Sequence, residues 1–364
     1  VNLIQLPFWS SFGIMQISRN PYWYSWLMLI FIFSVSATLA ISSIHRTMEI
    51  NRIQKVAYET LSDVRLIESS PFGIKKEMRE KMKEMQGVED FSTILRLEGS
   101  VGTTGSGNKF EVLAVDPRKL SKLAWFRDDF GNGSIDDILG KLYENKTIDD
   151  LIIPTNIQGI SITAKADKEV KNTFLWVVLK GNDGRLSTVT LGQIQDDSLS
   201  DHIGELNKIS LPAKILALQI YQPGGEDSAK PFQLMLEKIE LIDSKFLKTR
   251  LISFSSDKFW APIPTSEGFD TILENRSEGI FLNLGVGSTK GVRGIYRTFY
   301  EEGIPVLVDQ DFLTENQQNL NDKLVVYIQG LYLPVIINDF IKYFPTSGEN
   351  HEELMIFDIE KLTP

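Results

Sequence analysis

The sequence predicts an α+β protein: one N-terminal transmembrane helix, an interrupted α/β domain outside the membrane, and an antiparallel β-sandwich inserted into that domain. Three observations predict it. The run Pro21 to Ser42 (PYWYSWLMLIFIFSVSATLAIS) lies in a stretch without charge between Arg19 and His45. From Leu151 to Asp243 the chain consists of short β-branched and aromatic runs divided by turns. On both sides of that middle, helix-like and strand-like segments alternate. The expected boundaries are 1–20 for a juxtamembrane segment, 21–44 for the transmembrane helix and 45–62 for a stalk helix. Residues 63–147 and 246–364 are expected to form the two parts of the α+β domain, and 148–245 the sandwich.

About 20 apolar residues, rising 1.5 Å each, cross a hydrocarbon core roughly 30 Å thick. The run meets that length. Tyr22, Trp23, Tyr24 and Trp26 cluster at its N-terminal end, with Arg19 just before them. Amphipathic rings sit at the headgroup boundary, so these five residues are expected at the membrane interface. Two other readings stand beside this one. A cleaved signal peptide would use the small residues near Ala37 and Ala40, although its apolar region usually spans about 7–15 residues. A core helix of a soluble protein is rarely apolar on every side. Arg19 on one flank and Arg46, Arg52 and Lys55 on the other give only a weak vote on orientation, because large domains translocate regardless of nearby charge.

The chain carries 38 basic and 48 acidic residues, a net charge of −10. Such a field repels phosphate backbones, so nucleic acid is not an expected partner. With no cysteine, disulfides, Cys-ligated zinc, iron–sulfur clusters and cysteine nucleophiles are excluded together. The length beyond the apolar run favours two modules over one core. Opening on Val1, the chain is expected to be a piece of a longer protein.

Ile44, Met48, Val56 and Leu61 form a stripe at roughly helical spacing. It fits a stalk continuing the membrane helix, and equally an amphipathic helix lying on the domain. Asp63 to Glu68 (DVRLIE) alternates like a strand, and Ile74 to Gln86 reads as a charged helix closed by Gly87. FSTILRLEGSV and KFEVLAVD read as strands joined by GSVGTTGSGN. That Gly-rich stretch lacks a Gly-Lys-Ser/Thr ending and a following helix, so it predicts a hairpin loop rather than a phosphate cradle. A helix is expected near Pro117 to Phe126. After the sandwich, IPVLVDQDFL, KLVVYIQGLYLPVIINDFIKYFP and ELMIFDIEKL supply further strands. They are expected to share a sheet with those of 63–116, the Asp63 to Glu68 strand included, because the first set alone is too small for a core.

The run RNPYWYSWLMLIFIFSVSATLAISSIHRTMEIN, the pattern GVEDFSTILRL…KFEVLAVDPRKLSKLAWFRDDF and the closing IPVLVDQDFLTENQQNLNDKLVVYIQGLYLPVIINDFIKYFPT resemble FtsX-like, MacB-type ABC-transporter permeases. The resemblance covers about two-thirds of the chain, and 150–245 departs from it, looking instead like a galactose-binding-type jelly roll. It implies a multi-pass permease in a bacterial plasma membrane, with 45–364 extracytoplasmic and no enzymatic activity of its own. A separate cytoplasmic ABC ATPase subunit would hydrolyse ATP, in keeping with the missing phosphate loop. Membrane lipid, a second permease copy, and an envelope protein, lipid or glycan ligand are the other implied partners.

No catalytic residue, metal or cofactor is expected. His45, His202 and His351 lie in separate segments without ligand spacing and are expected to be interfacial or solvated. The acidic pairs 128–129, 136–137, 149–150 and 196–197 fit no calcium loop and read as solvated faces. Trp176 and Tyr221 are candidate sugar-stacking residues, though strand alternation sends such rings to a core as readily. They define a rival function, a single-span surface protein that captures a glycan with its jelly roll.

Overall fold

The computed structural model describes residues 7–19, 21–67, 76–102, 107–143, 148–194, 197–223, 231–264, 271–285, 293–346 and 353–362. The chain divides into two units, Val1–Arg65 and Leu66–Pro364.

The first unit is helical, with α1 (Phe8–Arg19) followed by α2 (Pro21–Thr60). Pro21 occupies the first turn, where its missing N–H costs nothing, and no further Pro or Gly interrupts the next 39 residues. At 1.5 Å per residue α2 is about 60 Å long, roughly twice a hydrocarbon core. Its apolar window is not buried against any other part of the protein. This helix is long and apolar enough to span a membrane, and a core helix does not have such an uncovered surface. Thr38, Thr47 and Thr60 donate their hydroxyls to the carbonyls of Ser34, Ser43 and Val56, so these polar groups are satisfied within the helix.

The expected strand from Asp63 to Glu68 is not formed over its described residues, which bend at 61–63 and run on irregularly; Glu68 lies outside them. Leu61 turns into the left-handed region (φ 67°). Arg65 Nη1 then donates to the Glu59 carbonyl (3.1 Å), and the Ser62 hydroxyl to the Val64 carbonyl (3.2 Å). The Arg65 bond thus ties the segment back to the end of α2, and the Ser62 bond takes a carbonyl that a ladder would use.

The second unit opens with α3 (Lys76–Glu84), β1 (Ile94–Val101), β2 (Lys109–Val115), α4 (Pro117–Leu123) and α5 (Ile135–Gly140). Then come β3 (Ile152–Ile153), β4 (Ile157–Ala166), β5 (Thr173–Lys180), β6 (Leu186–Ile194), β7 (Ser200–Glu205), β8 (Ala213–Tyr221) and β9 (Phe232–Asp243). They are followed by β10 (Lys248–Ser253), β11 (Trp260–Pro262), β12 (Thr271–Arg276), β13 (Gly279–Leu284) and β14 (Arg293–Arg297). The chain closes with β15 (Ile304–Asp309), α6 (Gln310–Glu315), β16 (Lys323–Ile328), β17 (Leu331–Ile341), β18 (Leu354–Asp358) and α7 (Ile359–Leu362).

Strands from both ends of this unit close a barrel in the order β1-β16-β17-β15-β18-β2. The pairs β15/β17 and β2/β18 are parallel and the others antiparallel. Phe110, Val112, Ala114, Val306, Val308, Met355 and Phe357 alternate into one cluster. Their neighbours Leu113, Val115, Leu307 and Ile356 face the other way and are also buried. Leu120, Ile138 and Leu139 of α4 and α5 are buried as well. The 130–143 segment is tied to β17 by Lys141–Asp339 (2.6 Å) and by Asn338 donating to the Lys141 carbonyl. Asp116 caps α4 by accepting from Lys119 N, ahead of Pro117.

Two antiparallel sheets occupy the middle, β12-β13-β9-β4-β7 with β10 on β9, and β11-β14-β8-β5-β6 with β3 on β8. Ile160, Ile162, Leu234 and Ile239 of the first sheet share a core with Leu175, Val177, Leu218 and Ile295 of the second. This sandwich runs to Arg297 rather than ending at 245. β10, β13 and β14 pair with β9, β9 and β8 respectively, so 248–297 belongs to the sheets and not to the second part of the α+β domain. The outer face of the second sheet supplies Val178, Ala217 and Tyr296 to the barrel's apolar cluster, with the Tyr296 and Tyr332 ring centroids 5.8 Å apart.

Candidate functional site

On β5, Leu175 and Val177 point into the sandwich core, so strict alternation turns Phe174 and Trp176 outward. Phe174 lies opposite Tyr221, and Trp176 opposite Gln219 and Thr190. The structure brings the two sequence-selected rings together: Trp176 and Tyr221 stack with centroids 4.3 Å apart and planes 14° apart. Tyr221 is 43% exposed. Each ring gives one face to the other, and Phe174 lies beside Tyr221 as well (6.4 Å), so the pair is not a flat two-ring platform.

Among the interface residues, Tyr22, Trp23 and Trp26 are strongly exposed at the start of α2, Tyr24 is half-buried, and Arg19 is exposed in the last turn of α1. His45 is exposed on α2. His202 is buried instead of solvated: Asp201, Ile203 and Glu205 take the outward positions of β7, so His202 faces inward, with its Nε2 3.2 Å from the Ser200 hydroxyl. His351 lies outside the described residues. Among the described residues no cluster of His, Asp and Glu has the makings of a metal site.

Sequence reasoning missed two arginines. Arg293 and Arg297 bracket Ile295 on the inner face of β14, each 3% exposed. Arg293 Nη1 donates to the Gly285 carbonyl (2.8 Å) and Nη2 to Gln222 Oε1; the Gln222 amide in turn donates to the Thr173 hydroxyl (3.0 Å). These partners are neutral, and burial pushes the Arg293 guanidinium pKa down. Arg297 pairs with Asp257 at 2.6 Å and donates to the Asp149 carbonyl at 3.0 Å. The only available signal was RGIYR, two charges four residues apart in an apolar strand, which places both on one face.

Arg297 and Asp257 line an open cleft of about 730 Å³. Its lining also includes Arg250 to Ser253 of β10, residues 148–151 and Glu301. A second polar cluster lies at the barrel, where Asn316 Nδ2 donates to Glu353 Oε2 at 2.5 Å. Burial pushes the Glu353 carboxyl up to about 7; the Asn316 hydrogen bond opposes this, and the nearby Glu315 and Asp309 add to it.

Comparisons of the chain with protein-family models, curated proteins and solved structures found no match.

Proposed function

We propose that this chain is part of the permease subunit of an FtsX-like, MacB-type ABC transporter. Its soluble body lies outside the cytoplasm and couples ATP hydrolysis in a separate subunit to export, lipoprotein or lipid handling, or control of an envelope partner. One observation carries the reading. Ile94 at the start of β1 and Asp358 at the end of β18 both pair with Val115. The path into the barrel and the path out of it therefore meet at one rim, as a domain looped out between two membrane segments requires. In this reading the sandwich is a jelly-roll insertion. The nested pairing of β4 with β9 and β5 with β8 supports that description. A second copy of the permease and membrane lipid complete the expected partners.

The test is to read the frame beyond Pro364. Three hydrophobic helices of about 20 residues each are expected to follow, and a stop codon shortly after Pro364 overturns the proposal.

The outward Trp176–Tyr221 stack favours a second reading, a single-span surface protein that binds a glycan. Calorimetric titration of the whole chain with soluble gluco- and chito-oligosaccharides tests it. Binding that Trp176→Ala abolishes without lowering the unfolding temperature supports it, and absence of heat with either series excludes it for those sugars.

A further inference from the structure

The geometry points to the free edge of β10 as a docking strand for an extended peptide of a partner protein, one carrying a basic side chain. Among the described residues β10 pairs only with β9, so its other edge presents backbone N–H and C=O groups with no ladder partner. Exposed edges of this kind recruit further strands unless charge or cover blocks them. The first half of β10 is blocked by Lys248 and Arg250. The second half is not: Leu251 and Ile252 carry no charge, pack half-buried against the sandwich core and also border the cleft. A β-bulge between Arg250 and Ile252 breaks the register with β9 at Leu251, a device that re-aims a side chain.

The charges in the cleft select the occupant. The Arg297–Asp257 pair is internally neutral, and Asp150 is paired with Lys214 at 2.6 Å. Asp149 and Glu301 are exposed in the lining of the cleft, and neither carboxylate has an ion-pair partner among the described residues. They attract a lysine or arginine. A small solute would leave the edge groups of β10 to water. An extended peptide satisfies them with main-chain hydrogen bonds and can rest apolar side chains on the parts of Leu251 and Ile252 that the core leaves uncovered. The cleft volume falls within the roughly 300–1,000 Å³ range of ligand sites.

This inference does not depend on the chain being a permease. The test pans a displayed random nonapeptide library against the full chain in detergent micelles, with empty micelles as the blank. Enriched peptides are expected to carry Lys or Arg and to slow amide exchange at residues 249–253. Leu251→Arg and the surface double variant Asp149→Asn/Glu301→Gln should each weaken binding about tenfold or more, equivalent to about 1.4 kcal/mol. The double variant leaves the core untouched, so its loss of binding is separable from misfolding. The proposal is overturned by an absence of enrichment over the blank. It is equally overturned by peptides that bind both variants as tightly as the parent or that protect a different strand.

Discussion

Arg297 and Asp257 form an ion pair of 2.6 Å whose side chains are only 4% and 10% exposed. Asp257 also accepts from Trp260 Nε1 at 3.3 Å, while Arg297 Nε is buried without an acceptor among the described residues. Among the described residues Asp257 is the arginine's one negatively charged partner. Removing one partner of a buried pair leaves an uncompensated ion and costs about 3–5 kcal/mol, whereas an apolar replacement of both is far milder. Asp257→Asn should lower the unfolding free energy from urea titration by that amount, and Arg297→Met/Asp257→Leu by less than either single change. A midpoint for Asp257→Asn equal to that of the exposed control Glu278→Gln contradicts this account.

Glu353 makes the barrel pH-sensitive. Its carboxyl is pushed up from 4.5 to about 7, first by burial. Between those values the folded chain holds a proton that the unfolded chain has released. The contribution is fully present below the unfolded pKa and is lost as pH rises through about 7. Burial also raises the Asp309 and Asp358 carboxyls, which gives a background slope of the same sign. Glu353→Gln should flatten the parent's decline between pH 4.5 and 7 and raise the unfolding temperature at pH 8. Parallel melting curves for parent and variant across that range contradict it.

The sequence showed best what rests on periodicity. The uncharged run at 21–42 reads directly as a long helix, and the strands at 94–115 and 304–341 share a barrel because each supplies one apolar face. DVRLIE misled because alternation describes a face that must still find a partner; after the left-handed Leu61, Arg65 and Ser62 bond locally instead. The sandwich boundary was misplaced because RGIYR holds two inward charges, which look like surface until β8 is seen beside it, and because the exposed Arg250 breaks the apolar run of β10. Trp176 and Tyr221 were legible as a pair, but not as a stack, since only the register of β5 against β8 sets their separation.

Gly294 shows how tightly β14 approaches β8 within the second sheet. Its φ is +132°, and a Cβ there would lie 2.1 Å from the Leu218 carbonyl oxygen. That neighbour is backbone in the middle of β8, paired on both sides, and has no rotamer to change. Gly294→Ala must therefore strain β14 or part it from β8, at a cost of about 1–3 kcal/mol for the forced backbone conformation alone. Gly140, where a Cβ meets nothing within 4 Å, is the control. Unfolding free energies of the two alanine variants should differ by at least that amount, and equal values would refute the close approach.

The absence of cysteine turns every introduced thiol into a single reporter on α2. Leu29, Phe33, Leu39, Ile53 and Val56 are all exposed on the helix surface, so within the protein nothing shields one more than another. A bilayer would. About 20 residues are covered by a hydrocarbon core, and the aromatic cluster at 22–26 sets where that core begins. Cysteines at 29, 33 and 39 should resist a membrane-impermeant maleimide in intact membranes, those at 53 and 56 should react, and detergent should make all five reactive. A cleaved leader predicts something different, namely loss of positions 29 and 33 from the mature chain, which mass spectrometry detects. Equal labelling at 33 and 53 before detergent would show that α2 does not cross the membrane at this register.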